Sequence, residues 1–457
     1  MILKNDTIVS RVTPLIRCNI GIIRISGPLT SKVSIKILGK IPLERHASYL
    51  PFFDIKGKIL DHGIALWFPG PHSFTGEDSL ELQGHGNPII LNLIISNILS
   101  IPNIRLSRPG EFSERAFLNG KIDLIQAESI ADLINANSEK AAYAALNSLQ
   151  GVFSSYINKL IDKIKKFRII IETYINFSEH ETDLNFKCDI EKEINTLISF
   201  LKNILKKSIQ TFILHESIKI VICGAPNSGK SSLLNSLSKT NRAIVTNIPG
   251  TTRDIIYANV DIKGISFNLV DTAGLRLTED LIERIGIQLA WKEINSADHV
   301  FFIIDGTSTF HDQIKNYTNF TKFISNEINV TIIFNKLDLD NFRVNFEYFK
   351  NKNYMSVSVL TNQGIEKLRD HLCNIFKIDE FFSNNENIFL ARQRHINILK
   401  EVLNHIRKSK KYWKNFFNIE LLAEDLRICQ DKLNLITGSY TTDQLLTDIF
   451  SSFCIGK

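Results

Sequence analysis

A chain of 457 residues with a formal charge of +6 is too long for one core of ordinary size, so two or three domains are expected. Its mild basicity permits an RNA partner but falls short of a dedicated nucleic-acid binder. Six dispersed cysteines, with no C-x-x-C pair, argue against a disulfide scaffold or a zinc finger and for reduced thiols. The opening "MILKNDTIVSRVTP" lacks an apolar signal region, and no apolar run approaches the roughly 18 to 20 residues of a membrane span. A soluble cytoplasmic protein without a membrane partner is therefore expected.

In chain order, residues 1–120 carry short β-like runs ("GIIRIS", "IALWF", "SLELQG") punctuated by Gly and Pro, with an apolar helical stretch at "PIILNLIISNIL". This reads as a small α+β domain. Over residues 121–215 apolar residues recur at three- and four-residue spacing, the periodicity of a helical bundle. Over 216–380 the pattern becomes apolar strands alternating with helices: "IKIVIC", "FNLVDT", "HVFFIID", "NVTIIFN", "YMSVSV". Strands that are apolar throughout imply a mainly parallel sheet covered on both faces. After the polar "DEFFSNNEN", helical periodicity returns over 381–457. The order helices, α/β domain, helices reads as an insertion, which compact domains with neighbouring termini tolerate.

The inserted domain opens on chemistry. "GAPNSGKS", Gly224 to Ser231, matches G-x-x-x-x-G-K-[ST] between an apolar strand and a helix start. Glycines there let backbone N–H groups face phosphate oxygens, Lys230 brings a point charge to the β- and γ-phosphates, and the Ser231 hydroxyl suits Mg²⁺. "DTAG", Asp271 to Gly274, ends a strand, where Asp271 can hold the metal through water and the Gly274 amide can meet the γ-phosphate. "NKLD", Asn335 to Asp338, ends another, and the Asp338 carboxylate can accept the N1–H and 2-amino protons that guanine has and adenine lacks. Within "TNIPGTTRD", Thr252 is the choice for a switch threonine on Mg²⁺. Leu275 follows DTAG, where Ras-type enzymes place a water-orienting Gln.

GAPNSGKSS, IPGTTRD, DTAGLR, NKLD, the terminal FSSFCIGK, and the blocks "GIALWFPGPHSFTGEDSLELQGHG", "RPGEFSERAFLNGKIDL" and "ALNSLQG" together resemble the MnmE (TrmE) family of tRNA-modification GTPases over essentially the whole chain. The resemblance implies a multidomain α/β architecture: an N-terminal α+β folate-binding and dimerising domain, an all-α helical domain in two parts, and an inserted P-loop, Ras-like G domain. It implies a homodimer that works with the flavin- and NADH-dependent MnmG (GidA) in a heterotetramer or larger complex. Together they would add a carboxymethylaminomethyl-type group to C5 of the wobble uridine of certain tRNAs, with GTP hydrolysis and a tetrahydrofolate one-carbon unit.

Residue by residue, the resemblance implies GTP contacts from Asn227, Ser228, Gly229, Lys230, Ser231 and Ser232; from Thr246, Asn247, Ile248, Pro249, Gly250, Thr251 and Thr252; from Asp271, Thr272, Ala273 and Gly274; and from Asn335, Lys336, Leu337, Asp338, Ser358, Val359 and Leu360. It implies K⁺ ligands at Asn227, Thr246, Ile248 and Thr251, a water-positioning Glu283 acting with Lys230 in catalysis, and a folate site at Arg24, Glu81, Lys121 and Lys457. Cations suit folate's glutamate tail and a carboxylate suits its pterin N–H groups. The chain departs from the family pattern at Leu15, Ile16, Cys18 and Asn19, at Ala225, and at Val359 and Leu360. Two rival classes share the G domain. A ribosome-assembly GTPase would add a KH-like clamp, of which no G-x-x-G is seen after the G domain; a regulatory switch would have no folate affinity.

Overall fold

The computed structural model describes residues 6–177, 184–215, 217–238, 244–246, 256–272, 290–325, 328–344, 346–350, 352–376, 388–439, 443–451, 453, 454 and 456. The chain divides into two compact units. One comprises residues 1–132, 148–204 and 397–457, the other 133–147 and 205–396.

The first unit contains a six-stranded sheet of β1 (Thr7–Arg11), β2 (Cys18–Ser26), β3 (Ser48–Phe53), β4 (Ile59–Phe68), β5 (Ser79–Gly86) and β6 (Ile104–Leu106), ordered β3-β4-β5-β2-β1-β6. Its neighbours are antiparallel except β1 and β6. Alternation along the strands sorts the side chains. Ile23, Ile25, Leu80 and Leu82 enter a core with Val33 and Ile37 of the helix Thr30–Leu38 and with Leu91, Ile94 and Ile98 of the helix Pro88–Leu99. Arg24 and Glu81, between them in sequence, face the other way as a cross-strand pair in register.

The helix Glu111–Leu118 belongs to the same unit and is anchored by a charge cluster. Arg105 bonds Glu111 and Asp6, and Arg115 bonds Asp6, Glu77 and Glu111. Burial pushes the Glu111 carboxyl upward, but hydrogen bonds from Arg105 and the Arg108 amide outweigh it and hold the group below its ordinary value. This anchoring sets the Phe112 ring 5.8 Å from the Arg24 guanidinium.

The remaining described elements of the unit are helices, and their seams are legible in burial. Phe153, Ile157, Leu160, Ile164, Phe167 and Ile171 of the helix Val152–Phe177, and Leu422, Leu426, Cys429, Leu433 and Ile436 of the helix Ile419–Thr437, are buried at alternating spacings of three and four. That is the seam of a bundle, and the two helices join through Arg168 Nη1 donating to Gln430 Oε1. Among the described residues no helix is long and apolar enough to cross a membrane, and none of the six cysteines is in a disulfide.

The second unit is built on seven strands: β7 (Ile218–Gly224), β8 (Ile244–Thr246), β9 (Ile256–Ile262), β10 (Ile265–Asp271), β11 (His299–Asp305), β12 (Val330–Asn335) and β13 (Tyr354–Ser356), ordered β13-β12-β11-β7-β10-β9-β8. The first five in that order are mutually parallel, while β9 and β8 extend the sheet antiparallel. Ile220 and Ile222 point into one core, with Leu233 and Leu237 of the helix Lys230–Ser238; Val221 and Cys223 point into the other, with Tyr317 and Phe320 of the helix Phe310–Thr321. Burial on both faces is why these strands read as unbroken apolar runs. The helix Glu139–Leu149 places Ala141, Ala144 and Ala145 in the first of these cores.

Candidate functional site

In a parallel sheet the carboxyl ends of the strands share one edge, and a ligand crevice forms where connections diverge to either side. Here β7 lies between β10 and β11, and the ends of β7, β10, β11 and β12 bring Gly224, Asp271, Asp305 and Asn335 to that edge. The loop after β7 leads into the helix Lys230–Ser238, whose first-turn N–H groups have no partner within the helix and suit an anion. Gly224 takes φ +147 and runs so close to β11 that a Cβ would lie 2.3 Å from the Ile303 carbonyl oxygen.

Within the loop, Lys230 is buried and its Nζ donates to the Ala225 carbonyl at 3.0 Å. Burial lowers its pKa against the pull of the Asp271 charge. Ser231 Oγ donates to Asp271 Oδ2 at 2.5 Å, while Asp271 Oδ1 is buried with no hydrogen-bond partner among the described residues. Burial raises the Asp271 carboxyl, opposed by the Ser231 bond and the Lys230 charge. A hydroxyl beside a buried, half-satisfied carboxylate is a donor set that fits a small hard cation such as Mg²⁺. Thr272 turns inward, its hydroxyl donating to the Ile222 carbonyl at 3.1 Å.

The guanine-type motif lies on the same edge. Asn335 Nδ2 donates to the Ser228 carbonyl at 2.9 Å, and Asn335 Oδ1 accepts the Val359 N–H at 3.2 Å. One side chain thus ties the phosphate loop to the loop after β13. Gly229, at φ +99, is required there, because a Cβ would sit 2.1 Å from Asn335 Nδ2. Lys336 takes φ +73 and pairs with Asp305. Asp338 Oδ1 accepts from Ser358 Oγ at 2.5 Å, and Leu337 N–H donates to the Val357 carbonyl at 3.1 Å. Leu360 is 85% exposed.

The described residues of the three motifs therefore meet on one sheet edge, with one participant that the motifs did not show. Asp305 holds Lys336, and the only sequence signal for it is an acid closing an apolar strand of the same sheet. Asn335 acts as a brace between loops in addition to its place in the motif. Asn227 is exposed at φ +60, and its side chain has no hydrogen bond among the described residues. Ser232 is exposed beside Ser231, and Thr246 ends β8 opposite Tyr257. Asn247, Ile248, Pro249, Gly250, Thr251, Thr252, Ala273, Gly274 and Glu283 lie outside the described residues.

The four residues of the expected folate site fare differently. Arg24 and Glu81 are joined by an ion pair of 2.8 Å, so each is the other's partner rather than a lone charge. Arg24 also donates to the Gly456 carbonyl at 3.4 Å and has the Phe74 ring 5.9 Å away. Lys121 Nζ donates to the Pro71 carbonyl at 2.6 Å, and Lys457 lies outside the described residues. The C-terminal segment does reach the N-terminal sheet: a Cβ on Gly456 would meet the Arg11 carbonyl oxygen at 2.8 Å. Cation, carboxylate and two aromatic rings in one place are a set that fits a flat heterocycle with N–H donors and an acidic tail.

Comparison with known proteins bears on the whole chain. Residues 7–121 match the family described as "GTP-binding protein TrmE N-terminus", and residues 124–454 match "MnmE helical domain". The tRNA modification GTPase MnmE of Buchnera aphidicola subsp. Baizongia pistaciae is 59% identical over 456 residues, covering 99% of both chains. That of Pectobacterium carotovorum subsp. carotovorum is 48% identical over 455 residues, covering 99% of this chain and 100% of its own. Among solved structures, the G domain of the T. maritima FeoB iron transporter is 24% identical and covers 36% of this chain and 99% of that one, with a TM-score of 0.29. With a phosphate loop, a cation-ready carboxylate and a guanine-type motif on one sheet edge, and with relatives matched end to end, the chain belongs to the MnmE (TrmE) family of tRNA modification GTPases.

Proposed function

We propose that this chain is a cytoplasmic, potassium-activated GTPase whose cycle drives a folate-dependent modification of tRNA. As a homodimer paired through its N-terminal domains, and with MnmG, it contributes to building a carboxymethylaminomethyl-type group on C5 of the wobble uridine of certain tRNAs. The observation that carries the GTPase reading is the Ser231–Asp271 pair, whose Oδ1 has no partner among the described residues, next to the Lys230 ammonium at the start of a helix.

Water attacks the γ-phosphorus of GTP and the β–γ bridging oxygen leaves with GDP, so the chain's task is positioning and charge stabilisation. Loop N–H groups and Lys230 hold the β- and γ-phosphates, Asp338 fixes the base, and Ser231, Asp271 and Thr252 would hold Mg²⁺. Bound Mg²⁺ and K⁺ supply positive charge against the oxygens that become more negative as the bond breaks. Asn227, Thr246, Ile248 and Thr251 are the oxygen donors suited to the larger ion, and Glu283 orients the water that Leu275 cannot. Turnover is expected to be several-fold or more faster in potassium than in sodium buffer, with Asn227→Ala abolishing the difference and Glu283→Ala lowering turnover at nearly unchanged GTP affinity. Equal rates in both salts across a range of protein concentrations would exclude this role for the ion.

The folate reading is supported by the meeting of Arg24, Glu81, Phe74 and Phe112 with the backbone of Gly456. In this reading Lys121 and Lys457 add cations for the acidic tail. The test of the whole proposal is mass spectrometry of wobble uridines from cells lacking this chain, complemented with the intact chain or with one missing residues 454–457. The intact chain is expected to restore the modified nucleoside. The shortened one is expected to keep GTP turnover but not restore it. Wobble uridines unchanged by the loss of the chain would refute the modification role.

A further inference from the structure

The helix Gln393–Phe416 turns one side to the bundle and one to solvent. Ile406, Ser409 and Trp413 are buried, whereas Arg407, Lys408, Lys411, Tyr412 and Phe416 are exposed. Lys408, Tyr412 and Phe416 follow at i, i+4 and i+8, so they stack along one face at about 6 Å per step, with Arg407 and Lys411 on its flank. The rings are bare to an uncommon degree, Phe416 at 70% and Tyr412 at 48% exposure, and lie 6.3 Å apart at a 32° tilt.

Among the described residues Arg407, Lys408 and Lys411 make no ion pair, while four acids of this and the neighbouring helices are engaged elsewhere: Glu401 with Lys432, Asp425 with Ser409, Glu424 with Arg427, and Glu191 with Lys414. A solvated charged helix face does not need two large exposed rings among its cations, and a protein-docking face is ordinarily depleted in lysine. Unpaired cations interleaved with exposed rings are the composition of a single-stranded nucleic-acid platform, where cations meet phosphates and rings stack on unpaired bases.

We propose that this stripe binds RNA, with Arg407, Lys408 and Lys411 on backbone phosphates and Tyr412 and Phe416 stacking on unpaired bases. It rests on the reading that tRNA is what this enzyme acts on, and it assigns part of the tRNA's grip to a surface outside the nucleotide unit.

Fluorescence anisotropy of the full chain with an unmodified tRNA transcript tests it. R407E/K408E/K411E is expected to weaken binding at least about tenfold and to flatten the log K against log salt slope by about 2 to 3, one counterion-release increment for each lost phosphate contact. Y412A/F416A is expected to weaken binding about tenfold with the slope unchanged, since stacking is not a charge contact. Both should retain wild-type GTP turnover in the absence of tRNA, which shows that they fold. Wild-type affinity and slope in both variants overturn the proposal, as does an intact chain that does not bind the transcript. Unchanged tRNA affinity with lost binding to MnmG would reassign the surface to a protein partner. None of these outcomes alters the wobble-uridine measurement, so failure of the surface and failure of the modification role remain distinct.

Discussion

Lys230→Ala is expected to lower GTP turnover by about a thousandfold or more, measured as phosphate release at saturating GTP. The side chain is buried, and its charged form is disfavoured by that burial. Its only hydrogen bond among the described residues is to the Ala225 carbonyl. A charge held under such conditions is poised for a stronger anionic partner, and the β- and γ-oxygens of GTP supply one. Pre-oriented positive charge in a dry site is worth far more than in water, and loss of one comparable donor costs about 10² to 10³ in rate. The Asp271 carboxylate beside it adds to the effect, because without Lys230 it faces the nucleotide's phosphates uncompensated. Turnover within tenfold of the parent chain would show that the ammonium is not a phosphate contact.

Asp338→Asn is expected to cost about a hundredfold or more in GTP affinity while admitting xanthosine triphosphate. Asp338 offers two carboxylate oxygens, one accepting the Ser358 hydroxyl, so the residue is oriented before any base arrives. Asn keeps the size but replaces one acceptor with a donor, which faces guanine's N–H groups and leaves donor against donor. Such mismatches are costly because a buried polar group is left unpaired. Xanthine presents an oxygen where guanine has its 2-amino group, and the new amide complements it. Competition between the two triphosphates in the turnover assay measures the change. A variant that still rejects xanthosine triphosphate and binds GTP as before would remove Asp338 from the base site.

What could be read from the sequence divides along physical lines. β7, β10, β11 and β12 were visible because both faces are buried and their apolar runs are unbroken. β3 was not: "SYLPFF" carries Pro51 and is an edge strand whose partner lies only on one side. β6 is three residues long and has no periodicity to detect. The helix Phe310–Thr321 is mostly polar, burying only Gln313, Tyr317 and Phe320. In the nucleotide site, residues contiguous in a motif were legible, but the Asn335 brace joins positions 107 apart in sequence and appears only once the sheet aligns the ends of β7 and β12. The same holds for Arg24 and Glu81. The family resemblance assigned each its own ligand group, whereas strand register makes them partners, so a ligand there must compete with an existing ion pair.

The division of the chain into interleaved segments has a consequence for how it is made. The nucleotide unit has all its residues once 396 has been synthesised, although it lies inside the other unit's sequence. The unit that begins at the N-terminus must wait for residues 397–457, and at about 5 to 20 residues per second those sixty or so residues take roughly 3 to 12 s to translate. During that interval the seam of Phe153, Ile157, Leu160, Ile164 and Phe167 has no Leu422, Leu426 or Leu433 to bury it. The second-encoded body thus has all its residues first on the ribosome, and the nascent first body presents an apolar stripe of the kind that chaperones shield until its partner helix is made.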